Sequence, residues 1–223
     1  MAIRYKCLIL DHDDTAVNST ATIHHPAHIK IMEELRPGVP AISLLGWFEK
    51  NFDPGIMEYM KKELGFSQEE IMREYEIWRE YTTSRIPDFY PGFLDVLSRF
   101  KQEGGIITVI SHSEKDLIIR DYRAAGADPR TIPELIFGWD YDDNKRKPHP
   151  WPVEQILQHF TLDPAEALIL DDLRPAVQMG RAAGVDVAAA GWGHDIPVIR
   201  RYMQEHCTAY FHRVEEFGEY ILS

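Results

Sequence analysis

The sequence has two cysteines among its 223 residues, Cys7 and Cys207. Cys7 lies in an apolar run typical of a buried strand, so we expect no disulfide framework and a reducing compartment. Residues 1–6 lead directly into this run, without the apolar stretch and cleavage site of a secretory signal. We therefore expect a cytoplasmic protein.

Positive charge and long apolar runs are also scarce. The formal net charge of −12 argues against nucleic acid and anionic membranes as partners, because both require clustered Lys and Arg. No apolar run approaches the roughly 20 residues that span a bilayer. We expect a small-molecule partner, and an anionic one would need a metal ion, a lysine or helix N-termini to reverse the local field. The oligomeric state stays open, and a monomer is compatible with the sequence.

Strand-like apolar runs alternate with helical patterns over most of the chain. This alternation is typical of βαβ units, so the sequence predicts an α/β fold with a parallel sheet. The first run is apolar throughout, which indicates a strand buried on both faces. The expected strands are residues 7–10, 106–110, 135–137, 167–170 and 185–190, and a short apolar segment follows at residues 209–211.

The segment after the first strand interrupts this alternation, because it contains helical patterns and no strand-like run. Ser67 and Glu70 have the form of a capping box at the start of one helix. Residues 44–50 fit either a short helix or a loop. We therefore predict an inserted all-helical cap domain at residues 17–88, with a core formed by residues 1–16 and 89–223.

Polar and charged side chains stand where the predicted strands end or in the loops that follow them. Because the carboxyl ends of parallel strands lie at one edge of the sheet, residues far apart in sequence can meet there. Carboxylates, a hydroxyl and a lysine at this edge are suited to phosphoryl transfer. The residues concerned are Asp11, Asp13, Ser111, Lys147, Asp171 and Asp172.

A phosphoryl group and a carboxylate repel each other, so this chemistry requires a cation. Mg²⁺ bound by Asp11, Asp171 or Asp172 would remove the repulsion, and ligand sets made only of oxygen favour Mg²⁺ over zinc. Asp11 is then the expected nucleophile, and Asp13 is the expected general acid and base. The remaining two residues would supply positive charge and a hydrogen bond to the phosphate, and they are Lys147 and Ser111.

Four motifs in this order resemble those of the haloacid dehalogenase (HAD) superfamily, in its form with a helical cap inserted after the first motif. They are Leu8-Ile9-Leu10-Asp11-His12-Asp13-Asp14-Thr15, Val109-Ile110-Ser111, Lys147-Pro148-His149-Pro150 and Ile169-Leu170-Asp171-Asp172. The resemblance covers the whole chain and implies a Rossmann-like core, a Mg²⁺ cofactor and an aspartyl-phosphate intermediate. It also implies that Asp11 and Asp172 bind the metal through their side chains, and Asp13 through its backbone carbonyl.

Three residues depart from the pattern of the family. Asp14 stands where many members have glycine, His12 where an apolar residue is usual, and Ala176 where some members carry a further acid. None of these departures removes a required group, and the roles of His12 and Asp14 stay open. Asp13 argues against the dehalogenase branch and the phosphonate-cleaving branch, because both lack an acid at this position.

Five residues are candidate substrate contacts: His12, Thr15, Trp47, Lys50 and His112. Two of them, Trp47 and Lys50, fall between early cap helices, where similar proteins carry a substrate-specificity loop. The alternative for Trp47 is a place in the core of the cap.

The cap also contains three histidines close together, which invites a metal-site interpretation. Pro26 disfavours a regular helix through all of them, so they are not arranged as ligands on one helical face. We expect them to be exposed or hydrogen-bonded instead. They are His24, His25 and His28.

The first functional hypothesis is a Mg²⁺-dependent phosphatase that hydrolyses a small phosphorylated metabolite through an aspartyl-phosphate. One alternative is a phosphosugar mutase similar to β-phosphoglucomutase, in which the phosphate returns to the sugar instead of passing to water. An alternative of another class is a non-catalytic binding protein on a HAD scaffold, against which the intact set of acids and Lys147 argues.

Overall fold

The first strand of the chain lies inside a parallel sheet. The computed structural model describes residues 3–223, and within that range the sheet has six strands. Numbered in chain order together with two shorter strands, they are β1 (Cys7–Leu10), β4 (Ile106–Ile110), β5 (Leu135–Phe137), β6 (Ala167–Asp171), β7 (Asp186–Ala190) and β8 (Ala209–Phe211). Their order is β5–β4–β1–β6–β7–β8, and every neighbouring pair is parallel. This is the order of a doubly wound Rossmann sheet, so the predicted α/β class is confirmed.

Strand β1 lies between two other buried, parallel strands, β4 and β6. All of its residues are buried, and Leu10 lies opposite Val109 of β4 and Leu170 of β6. The next amide, that of Asp11, donates a hydrogen bond of 2.9 Å to the carbonyl of Leu170. The register therefore brings Asp11 level with Asp171 at the carboxyl edge of the sheet.

The helices are amphipathic, as α5 illustrates. Its buried residues Phe93, Leu97 and Phe100 recur at helical spacing, while Asp95 and Arg99 between them are exposed. No helix within residues 3–223 has the length and apolar character needed to cross a membrane. In chain order the helices are α1 (His25–Leu35), α2 (Leu44–Phe52), α3 (Ile56–Glu58), α4 (Gln68–Ser84), α5 (Phe93–Gln102), α6 (Lys115–Ala124), α7 (Trp151–Phe160), α8 (Arg174–Ala183), α9 (Pro197–His206) and α10 (Val214–Ile221).

The chain divides into two compact units. One contains the sheet and consists of the chain up to Asn18 and from Asp88 onward, and the other is Ser19–Pro87. The short strands β2 (Val17–Asn18) and β3 (Asp88–Phe89) form an antiparallel pair within the first unit. This pairing explains why the helical unit is slightly shorter than the predicted range 17–88, since periodicity alone does not reveal strands of two residues.

The second unit is helical and has its own apolar core. Ser67 and Glu70 form the capping box predicted at the start of α4. The segment left open as helix or loop is a helix, α2, whose first turn is capped by the Ser43 side chain. The core residues of this unit are Ile31, Met32, Trp47, Tyr59, Met60, Phe66 and Ile77.

The three histidines of this unit have different surroundings. His24 accepts a hydrogen bond from the Trp78 indole at 3.0 Å, and the His25 ring lies 2.9 Å from the carbonyl of Ile42. His28 is fully buried against Trp47, and neither of its ring nitrogens has a hydrogen-bond partner among residues 3–223. The expectation of an exposed or hydrogen-bonded ring is therefore wrong for His28, because helical periodicity places it among the core residues of α1.

We predict that His28 makes the protein less stable in acid. Burial, reinforced by the neighbouring His25, lowers the pKa of His28 from 6.5 to about 4. The unfolded chain therefore binds more protons than the native protein between these two values, so stability falls as the pH decreases through this window. Between pH 7.5 and pH 5 this single group should remove about 2 kcal/mol of the free energy of unfolding.

The test is urea denaturation at these two pH values. In His28→Leu the loss of stability on acidification should be about 2 kcal/mol smaller than in the wild type, because no buried imidazole then has to be protonated. His212→Leu, which replaces an exposed histidine, is the control and should behave as the wild type. An equal loss in the wild type and His28→Leu would contradict this account.

Candidate active site

Three buried carboxylates meet at the carboxyl edge of the sheet. Asp11 follows β1, Asp171 ends β6 and Asp172 follows it, and one oxygen of each lies within 4.8 Å of the others. All three side chains are buried. The sheet register produces this cluster, because β1 and β6 are adjacent parallel strands and Leu10 lies opposite Leu170, which places the acids that follow at the same level.

Lys147 lies between two of these carboxylates. Its Nζ donates to Asp11 Oδ1 at 2.8 Å and to Asp171 Oδ2 at 2.7 Å. Burial by itself would lower the pKa of the Lys147 ammonium, but the two carboxylates together raise it above its usual value. The lysine is therefore a buried positive charge that joins the loop after β5 to the ends of β1 and β6.

Each carboxylate oxygen of Asp171 already accepts a hydrogen bond from the protein. Besides Lys147 on Oδ2, it accepts the backbone N–H of Leu173 at 2.9 Å on Oδ1, just before α8 begins. Asp171 therefore positions the lysine and the start of the helix. Asp11 and Asp172 are the better candidates for direct binding of a cation.

Asp13 lies beside the cluster and is bound by hydroxyl groups. Ser113 Oγ donates to Asp13 Oδ2 at 2.6 Å, and Ser111 Oγ lies 3.5 Å from the same oxygen. Ser111 Oγ also accepts the backbone N–H of Ser113 at 3.1 Å. The turn after β4 thus fixes the orientation of the carboxylate that the sequence predicts to transfer protons.

The sequence did not predict this role of Ser113. Its position suggests a helix N-cap, but α6 begins two residues later, at Lys115, and Glu114 occupies the N-cap position. The Ser113 hydroxyl binds Asp13 instead of the helix N-terminus. The sequence feature that could have suggested this contact is a second serine, two residues after Ser111, at the end of a strand.

The charge balance of the cluster suits a divalent cation. The three carboxylates of the cluster, together with Asp13 beside them, outnumber the ammonium group of Lys147, which binds two of them. Burial raises the pKa of Asp11 to about 7 against the opposing effect of Lys147, and burial and Asp11 raise that of Asp172 well above its usual value. The excess of oxygen donors and the absence of soft ligands in the cluster fit a hard cation such as Mg²⁺.

Two of the predicted substrate contacts, His12 and Thr15, have buried side chains. The His12 ring is buried, pairs with Asp121 at 3.1 Å and packs against Tyr122. Thr15 is also buried, and its hydroxyl has no hydrogen-bond partner in the described part of the chain. Both side chains are buried, and their contact with a substrate stays a prediction.

The other three candidates differ in exposure. His112 is exposed, and its Nε2 lies 3.2 Å from the carbonyl of Lys147. Trp47 is buried in the core of the helical unit, which matches the alternative given for it. Lys50 belongs to the same unit and donates to both carboxylate oxygens of Glu63.

Comparison with known proteins supports the resemblance seen in the motifs. Residues 8–190, from β1 to the end of β7, match the family described as "Haloacid dehalogenase-like hydrolase". The chain is also 23% identical over 208 residues to a phosphoglycolate phosphatase of Haemophilus influenzae, covering 89% of this chain and 92% of that protein. The predicted family is thereby confirmed.

Solved structures share the fold at low sequence identity. CbbY from Rhodobacter sphaeroides, crystallised with phosphate, has a TM-score of 0.73 and 17% identity, with 96% of each chain covered. A candidate beta-phosphoglucomutase from Bacteroides vulgatus has a TM-score of 0.74 and 23% identity, covering 98% of this chain and 88% of that chain. These likenesses confirm the predicted Rossmann-like core with a helical insertion.

The backbone at Asp14 leads to a prediction about stability. Asp14 has a φ of 55°, in the left-handed region that glycine adopts without strain. Asp14→Gly and Asp14→Ala remove the same carboxylate, so the difference between them isolates the backbone. We expect Asp14→Ala to be less stable than Asp14→Gly by about 1 kcal/mol.

Urea denaturation of the two variants in the same buffer measures this difference. The comparison does not depend on the contacts of the Asp14 carboxylate, because neither variant retains it. Equal stabilities would show that the turn relaxes to another conformation when the side chain is shortened.

Proposed function

Because the chain belongs to the haloacid dehalogenase-like hydrolases, we propose that it is a phosphatase that releases phosphate from a small phosphorylated metabolite. The observation that carries the proposal is the cluster of Asp11, Lys147, Asp171 and Asp172, with Asp13 beside it. A phosphatase of this type needs a nucleophile, a proton donor and positive charge at one place, and these residues supply all three.

Asp11 is the proposed nucleophile. One of its oxygens attacks phosphorus, the bond from phosphorus to the substrate oxygen breaks, and an aspartyl-phosphate forms. The ion pair with Lys147 at 2.8 Å favours the ionised carboxylate, which is the form that attacks. Lys147 also partly offsets the negative charge that accumulates when the phosphate arrives.

Asp13 is the proposed acid and base. It gives a proton to the departing oxygen in the first step and takes a proton from the attacking water in the second. Water then attacks phosphorus, free phosphate leaves and the Asp11 carboxylate is restored. The hydrogen bond from Ser113 orients Asp13 for both transfers, and Ser111 is the proposed hydrogen-bond donor to the phosphate.

Asp11 and Asp172 would hold Mg²⁺ through their side chains, with Asp171 beside them and the Asp13 backbone carbonyl as a further ligand. When bound, the ion neutralises charge on the transferring phosphoryl group. The oxygen-only donor set and its excess of negative charge support this choice of metal.

The substrate class is supported by the relatives. The Haemophilus influenzae protein is named as a phosphoglycolate phosphatase, and CbbY was crystallised with phosphate. We assign the choice of leaving group to the helical unit, Ser19–Pro87, which is a separate unit from the one that contains the sheet and the proposed chemistry. A small phosphorylated metabolite is therefore the proposed substrate.

The proposal is tested by phosphate release from an aryl phosphate and from a panel of phosphorylated metabolites. Asp11→Asn should lower kcat at least about 10³-fold, since loss of a nucleophile removes the covalent route. Asp13→Asn should lower it by about 10² to 10⁴-fold. EDTA should abolish the activity, and added Mg²⁺ should restore it.

Asp14→Gly is the matched control, because it removes a neighbouring carboxylate that has no role in the proposed chemistry. It should retain most of the turnover. Equal losses in Asp14→Gly and Asp11→Asn would contradict the division of roles. Return of phosphate to a sugar instead of release to water would indicate the mutase, and the absence of both Mg²⁺ binding and turnover would indicate the binding protein.

A further inference from the structure

The loop between β7 and α9 reaches the cluster of carboxylates, although no motif predicted a role for it. It contains the sequence Gly191-Trp192-Gly193-His194-Asp195. In the sequence this loop can be recognised by a tryptophan between two glycines, directly after a strand. Its contacts run to two separate parts of the proposed active site.

The loop is first fixed against the turn that follows β1. Trp192 Nε1 donates to the carbonyl of Thr15 at 2.9 Å, and the indole packs near Phe93 and Phe217. Gly193 passes so close to the same turn that a Cβ atom there would lie 2.1 Å from the carbonyl oxygen of Asp14. Position 193 therefore requires glycine, and the next residue is held at a defined place.

That next residue is His194, which reaches the other acidic loop. Its Nε2 lies 3.1 Å from Asp172 Oδ2, and both side chains are buried. When Asp172 is ionised, as a metal ligand must be, Nε2 is the donor of this hydrogen bond and the carboxylate accepts it. One short loop thus connects the turn after β1 with the end of β6.

We propose that His194 is a positioning residue that holds the Asp172 carboxylate in the orientation needed to bind a divalent cation. This inference rests on the proposed function, in which Asp172 is a metal ligand. A neutral imidazole can donate this bond without bringing a positive charge, so it fixes the carboxylate and leaves its charge available. Lys147 acts differently, because its ammonium neutralises charge on Asp11 and Asp171.

The test is isothermal titration of the substrate-free protein with MgCl₂. His194→Leu should weaken Mg²⁺ binding by about 10 to 100-fold, the usual effect of removing a group that orients a metal ligand. His194→Gln retains a donor at a similar distance from the backbone and should recover most of the affinity. His206→Leu, at an exposed histidine of α9, should leave the affinity unchanged.

A second variant tests the loop without touching His194. Trp192→Phe removes the hydrogen bond to Thr15 and keeps an aromatic ring in the apolar contact. It should weaken Mg²⁺ binding by a smaller factor than His194→Leu. Turnover of His194→Leu should recover as MgCl₂ is raised, because the defect lies in affinity, whereas general damage to the fold would not be reversed by the ion.

The outcomes separate this inference from the proposed function. If the wild type releases phosphate and His194→Leu binds Mg²⁺ as the wild type does, the inference is overturned and the phosphatase stands. If the wild type binds Mg²⁺ and His194→Leu weakens that binding, but no phosphate is released, the inference stands and the proposed function is wrong. The inference would also be overturned if His194→Gln bound Mg²⁺ no more tightly than His194→Leu.

Discussion

The pairing of one buried lysine with two buried carboxylates is the interaction on which the candidate active site depends. Lys147 binds Asp11 and Asp171 at the ends of adjacent strands. Burying two carboxylates side by side is unfavourable, and an ion pair offsets that cost only when its geometry is good. Removal of the lysine would leave uncompensated charge in the interior, a change that typically costs about 3–5 kcal/mol. The same side chain also links the loop after β5 to the ends of β1 and β6, so the ion pairs that compensate the buried charge also fix the position of that loop.

The acids of the cluster are distinguished by their partners. Asp11 has an ammonium group, Asp13 has serine hydroxyls, Asp171 has the ammonium and a backbone amide, and Asp172 has an imidazole. A charged partner favours ionisation and neutralises the carboxylate, while a neutral donor mainly fixes its direction. Residues of the same chemical type can therefore take different roles within a few ångströms. In the proposed function these roles are nucleophile, proton carrier, anchor and metal ligand.

Much of this could be predicted from the sequence because the geometry of a parallel sheet is simple. An apolar run followed by an acid predicts both the strand and the edge at which the acid lies, so the sequence alone predicts that Asp11 and Asp171 lie close together. The partners of the acids were harder to predict. A serine that caps a helix and a serine that binds a carboxylate look alike, as Ser113 shows. Periodicity likewise could not reveal that His28 would be buried without a hydrogen bond or that His12 would turn inward.

The remaining negative charge has a thermodynamic consequence for the proposed reaction. Lys147 compensates part of the charge of the cluster, and the serine hydroxyls beside it compensate none of it. A phosphate dianion entering this region meets repulsion from the cluster and from a chain whose net charge is −12. Binding of the phosphate and of the cation must then be positively linked, and each raises the affinity of the other by the same factor. At cation concentrations below saturation, a loop that improves cation binding therefore also improves phosphate binding, although His194 has no need to touch the phosphate.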